Sequence, residues 1–241
     1  MIALLVALTL GQATPCADGP ALIAAGSERA AVFDLDGAVA RLGSRTPGCP
    51  ETEIAFSYVR GLVAARDAYR YGGSPESLAP VGAAIAELAR HAPMSPSAEI
   101  ARVMLLAASA AAQSERDEMA LLLDHALQLE RQERAAGRSG APMVTAHEVA
   151  GDLWLQVHRF EDARQAYARA EREVGRTRRI TLGVARTASR LDEVPTACRE
   201  FRLLVEGWST TTKEPSELAE ARAFLARLEC RESGRAGPVR Q

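Results

Sequence analysis

Lysine is nearly missing from this chain. Lys213 stands alone among 29 basic residues, which leaves 28 arginines in 241 positions. With alanine so frequent alongside, the bias reads as GC-rich coding before any functional choice. No phosphate-binding Gly-Lys-Ser/Thr loop occurs, nor does a Gly-x-Gly-x-x-Gly turn or a Gly-x-Ser-x-Gly elbow, and serine, cysteine and histidine lack local triad signatures. Net charge is nearly missing too: 25% of residues are charged, yet the formal sum is -2, so no overall field favours nucleic acid or an anionic membrane. No apolar run approaches the roughly 18 residues that cross a bilayer. Strand signals are scarce, with no Asn-Gly or Asp-Gly hairpin between alternating segments. The 47% apolar content nonetheless suffices for a sizeable core.

The start of the chain is apolar from Ile2 to Leu10, with Gly11-Gln12-Ala13 after it, as in a short signal-peptide core cleaved after Ala13. The basic residues expected before such a core are not present, so the alternatives are a start further upstream or a buried helix start. Four cysteines fit an oxidising compartment. In an antiparallel helix pair the start of one helix lies beside the end of its neighbour. Cys16 precedes the first expected helix and Cys49 follows the second, while Cys198 opens a late helix and Cys230 closes the next. The expected disulfides are therefore Cys16–Cys49 and Cys198–Cys230, each clamping an end of the chain. Pro15 stands where a lipid-anchoring motif wants a small residue, which argues against an acylated Cys16.

Helical periodicity dominates, in long stretches of Ala, Leu, Arg and Glu. Ser74-Pro75 and Ser95-Pro96 place a cap before a first-turn proline, and Thr145 to Glu148 and Ser114 to Asp117 have capping-box or near-capping-box spacing. Loops are expected at Gly72-Gly73, His91 to Ser95, Gly137 to Pro142 and Ser209 to Pro215, separating about eleven helices. Internal repetition is the strongest signal. Gly151, Trp154, Phe160, Ala163, Tyr167 and Ala170 alternate small and large side chains as a packed helical hairpin requires. A shift of 34 residues gives Ala185, Ala188, Val194, Ala197, Phe201 and Leu204, all small or apolar, and a further shift puts Ala219 in a capping helix from Pro215 to Cys230. Gly26, Leu35, Ala38 and Leu42, ending at Pro50, form a weaker copy. This spacing resembles the tetratricopeptide repeat (TPR) consensus, clearest over residues 144–230 and only architectural over 51–142. His158 departs from it where the family likes glycine, and Ala188 replaces an aromatic.

The resemblance implies an all-α fold, a right-handed α-α superhelix built as a TPR-like solenoid of paired antiparallel helices. The expected division is a signal peptide over 1–13, a helical repeat domain over 14–232 and a flexible tail over 233–241. In such proteins the first helix of each hairpin lines a concave groove. By the alignment, Glu148, Asp152 and Gln156 line it in one repeat, and Arg179, Arg186 and Arg190, which share one helix face, line it in the next. A groove with acidic and basic walls can hold an extended peptide, its carboxylates pairing with the arginines. The family's lysine and asparagine carboxylate clamp is not matched. Those arginines can also be read as a solvated helix face.

Two strings suggest other chemistry. Val32-Phe33-Asp34-Leu35-Asp36-Gly37 resembles the nucleophile motif of haloacid-dehalogenase-type phosphatases, but Ala38 replaces the usual threonine and Lys213 is the only lysine available, so Asp34 or Asp36 is expected to cap a helix. His147-Glu148 resembles the start of a His-Glu-x-x-His zinc helix, but Gly151 stands where the second histidine belongs. The histidines are scattered, and no metal or other cofactor is expected. The chain reads as an exported, periplasmic or secreted scaffold for a protein or peptide partner, with no nucleic acid and no membrane span after signal cleavage. The alternatives are a helical-scaffold enzyme with its site in 51–142, or a structural subunit of a cell-envelope assembly.

Overall fold

The computed structural model describes residues 16–31, 34–45, 47–138, 140–208, 215–227 and 230. The expected signal peptide, the tail, Val32, Phe33, Lys213 and most of the 209–215 loop lie outside the described residues. Eleven helices and no strand occur among the described residues: α1 Gly19–Ala31, α2 Leu35–Leu42, α3 Pro50–Arg70, α4 Pro75–His91, α5 Pro96–Ala112, α6 Arg116–Ala135, α7 Ala146–Gln156, α8 Phe160–Val174, α9 Arg178–Arg190, α10 Val194–Glu206 and α11 Ser216–Leu225.

Local chemistry explains most of the starts. Ser74 and Ser95 accept hydrogen bonds from the amides of Ser77 and Ala98, with proline following each cap. Thr145 and Glu148 form the full capping box of α7. Asp34 caps α2 through the amide of Gly37, so Asp34 to Gly37 form the start of a helix. The Ser114 reading is corrected. Glu115 occupies the cap position of α6 without a side-chain bond, and Ser114 turns the chain in the left-handed region at φ 65°. The last helix is also shorter than expected, since α11 ends at Leu225, before Cys230.

Consecutive helices pack as pairs: α1 on α2, α3 on α4, α5 on α6, α7 on α8 and α9 on α10, with α11 on α10. The first helices of successive pairs also touch one another along the series α1, α3, α5, α7 and α9. This packing is compatible with a helical repeat. One core runs from Ala30 to Val157, and a second joins Leu182, Ala185, Phe201, Phe224 and their neighbours. Between them the repeat positions of α8, namely Ala163, Tyr167 and Ala170, are fully buried. The residues 34 positions later, Ala197, Phe201 and Leu204, are buried as well. Both expected cysteine pairs are at disulfide distance, with Cα atoms 5.2 Å apart for Cys16–Cys49 and 5.5 Å apart for Cys198–Cys230. They tie the stretch before α1 to the start of α3, and α10 to the residues after α11.

Candidate functional site

The polar residues of interest gather where α7 and α9 lie side by side. Tyr167 of α8 is the wedge between them. Its ring fills the space left by two missing side chains, Gly151 on α7 and Gly183 on α9, and a methyl at either would overlap it. Fully buried, the ring emerges at the far side to donate its hydroxyl to Asp152 Oδ1 at 2.6 Å. The other oxygen of Asp152 receives Arg179 through Nε at 2.7 Å and Nη2 at 2.5 Å. Burial opposes the charge of Arg179, but the carboxylates of Asp152 and Glu148 outweigh it and hold the guanidinium more firmly protonated than usual. Burial, and then the charge of Asp152, pushes the Tyr167 phenol well above its ordinary range, so it remains a donor.

Glu148 serves two helices. Its carboxylate closes the α7 capping box with Thr145 and accepts the Thr177 hydroxyl at 2.7 Å, while Thr177 caps α9 through the amide of Ile180. Further along, Arg186 grips Glu220 of α11 with Nε 3.0 Å from Oε1 and Nη2 2.5 Å from Oε2. Asp152, Arg186 and Glu220 stand 34 residues apart in turn, so this spacing carries negative, positive and negative charge in succession.

Three cavities adjoin along this line. The first, about 510 Å³, is bordered by Glu148, Arg134, Arg178 and Arg179. The second, about 300 Å³, has Arg179 in common with the first and adds Asp152, Gln156, Arg186 and an aliphatic floor that includes Leu62, Val149, Leu153 and Leu182. The third, about 600 Å³, has Arg186 in common with the second and adds Arg190, Arg227 and Glu220. All six residues expected to line a groove therefore border one lane. The arrangement differs from the expectation in one respect: Arg179 and Arg186 are already occupied by Asp152 and Glu220, while Arg190 has no ion-pair partner among the described residues.

Tyr167 carries repeat spacing and was read as packing alone; that its tip is polar was legible, but its second role was not. Arg134 comes from α6, outside the aligned repeats, and no sequence signal connects it to the lane. A separate, smaller cavity of about 140 Å³ holds His147, whose Nε2 is buried without a hydrogen-bond partner among the described residues. Burial lowers its pKa to about 4. The nearby buried Glu130 accepts the amides of Ala141 and His147 at 3.2 and 3.3 Å, and burial raises its pKa. Among the described residues no His, Cys, Asp and Glu cluster could hold a metal ion. No protein-family profile, no curated protein and no solved structure matches this chain.

Proposed function

We propose that this chain is a binding scaffold for a protein or peptide segment, a TPR-like solenoid of right-handed superhelical form whose row of first helices offers the binding face. The observation that carries this reading is the lane: residues chosen by repeat alignment alone line three adjoining cavities on α7 and α9. A polar rim over an aliphatic floor suits an extended segment, because the floor takes side chains while the rim fixes direction. Operation outside the cytoplasm, in a periplasm or beyond after loss of residues 1–13, completes the proposal. The two cysteine pairs support it, and no described helix is long and apolar enough to cross a membrane.

The test is capture from the native envelope fraction with the oxidised protein, beside an Arg186→Ala/Arg190→Ala variant and an Arg179→Ala variant, each checked for folding by circular dichroism. A partner retained by the parent and lost from folded variants places binding in the lane. A partner retained by all of them moves it to another face, and repeated capture of nothing leaves the scaffold reading without support.

A further inference from the structure

The charge of the lane is not that of the protein. Its three cavities are bordered by seven arginines and four carboxylates; Arg66 is held by Asp36 and Asp67 outside the cavities, which leaves six arginines against four carboxylates, an excess of two positive charges in a chain whose formal total is -2. Nor is the excess spread evenly. In the middle cavity Arg179 and Arg186 are neutralised by Asp152 and Glu220. At the two ends the arginines are less fully answered: Arg134 and Arg178 in the first cavity, Arg190 and Arg227 in the third, make no ion pair among the described residues, and Arg134 feels only the more distant charge of the buried Glu130. Arg178 instead reaches the Gly207 carbonyl and lies 5.0 Å from the Trp208 ring, and Arg227 stacks over Phe224 at 4.4 Å. Cationic groups held in place by packing in this way have already lost much of the freedom that pairing would take from them.

We infer that the lane recognises an extended acidic segment of another protein, with one aliphatic side chain seated over the middle cavity and a carboxylate on either side of it. This rests on the scaffold reading above and adds the chemistry of the partner. Arg178 and Arg190 lie twelve positions apart on α9, or about 18 Å at helical rise. An extended strand covers that in about five residues. The occupant is not supplied by either terminal stretch of the sequence outside the described residues. Residues 1–15 contain no acid, and residues 231–241 carry three arginines against one glutamate. Their charge is wrong for the site.

The experiment uses the oxidised full chain and a fluorescent peptide of serines carrying two glutamates about five positions apart with a leucine between them, read by anisotropy at low and high salt. Binding should weaken at least about tenfold when both glutamates become glutamine, about fivefold when the leucine becomes serine, and steeply as salt is raised. An Arg134→Glu/Arg190→Glu variant should lose the acidic peptide by a similar factor and gain the matching peptide with arginines at both ends. Those two arginines are exposed at the described surface, and circular dichroism checks the fold of the variant before binding is read, because Arg134 also acts on the buried Glu130. Equal binding of the glutamine peptide overturns the charge rule. If the acidic probe fails while neutral or basic peptides from a random array photo-crosslink to α7 and α9, the charge rule falls and the scaffold reading stands. If nothing in the array binds at about 1 mM, both fall. Self-association abolished by the same reversal would assign the lane to a second copy and also overturn the inference.

Discussion

Gly61 and the pair Gly151 and Gly183 answer the same steric problem with different fillers. At Gly61 the missing side chain lets α3 close on α5, and Leu105 occupies the gap. At Gly151 and Gly183 the helices close around α8, and the gap is filled by Tyr167. Leu105 ends in methyl groups and seals a core in which Tyr58, Val59, Ile100 and Met104 are also fully buried. Tyr167 ends in a hydroxyl that passes through the packing to fix Asp152, and through it Arg179. Buried carboxyl and imidazole groups follow the same division. Among the described residues every buried acid or histidine, from Glu130 through His147 to Glu200, lies in the later half of the chain. Helix-pair stacking is thus common to both regions, and the tip of the wedge decides whether a contact makes only a core or also anchors a polar cluster.

The comparison breaks most visibly if the wedges are removed. Leu105→Ala should cost about 2–5 kcal/mol and Tyr167→Ala about 3–5 kcal/mol in urea denaturation. Only the second should also expose Arg179 to guanidine-specific modification; equal reactivity of Arg179 in both variants would erase the distinction. The clamps come next. Each cysteine pair closes a loop, with separations of 33 and 32 residues, so replacing either by serines should lower stability by about 3–4 kcal/mol in the chain-entropy view. A much smaller loss for Cys198 and Cys230 would mean that the polar contacts of α9 and α11 hold that end without them.

Acidity should separate the halves. His147 is kept neutral by burial, and Arg134, Arg131 and Arg169 lower its pKa further while Glu173 opposes them, with a result of about 4 against an ordinary 6.5. The unfolded chain therefore takes up a proton that the folded chain refuses, so this contribution is fully present above pH 6.5 and is lost as pH falls towards 4. The loss should be on the order of 2–3 kcal/mol. Glu130, whose pKa is raised by burial, acts in the opposite sense, which makes the His147→Gln variant the needed control. Hydrogen exchange should show α7 losing protection between pH 7 and 5 while α3 and α5 keep it. The smallest effect is the sharpest. Tyr167→Phe leaves the ring in place and removes one hydroxyl, so stability should fall by only about 1 kcal/mol, while partner affinity in the lane falls with the loosened Asp152 and Arg179.

Helix starts were legible because serine, threonine and proline state them locally, as at Ser74, Ser95 and Thr145. Ser114 misled because its spacing fits a cap, while the tight turn after α5 places it in a left-handed conformation one residue too early. The cysteine pairing was legible from helix ends alone. That Glu148, Asp152, Gln156, Arg179, Arg186 and Arg190 would fall on neighbouring helices was legible because a 34-residue shift converts sequence distance into adjacent elements. What alignment could not supply was pairing within the lane. Arg186 and Glu220 stand one repeat apart and could have been matched, but Arg179 reaches Asp152 across 27 residues, and only the packed geometry of α7 and α9 sets that contact. Arg134 enters from a helix with no consensus at all.

The alternation of Asp152, Arg186 and Glu220 has a consequence for how the chain avoids errors. A stack of similar hairpins can assemble with one unit skipped or borrowed from another molecule, since each apolar face accepts several near-identical neighbours. Skipping the α9 and α10 pair would bring the helix of Asp152 against that of Glu220 and set two negative charges together. Opposite signs at this 34-residue spacing therefore bias the packing by up to about 1 kcal/mol against a misthreaded stack that the apolar contacts alone would tolerate.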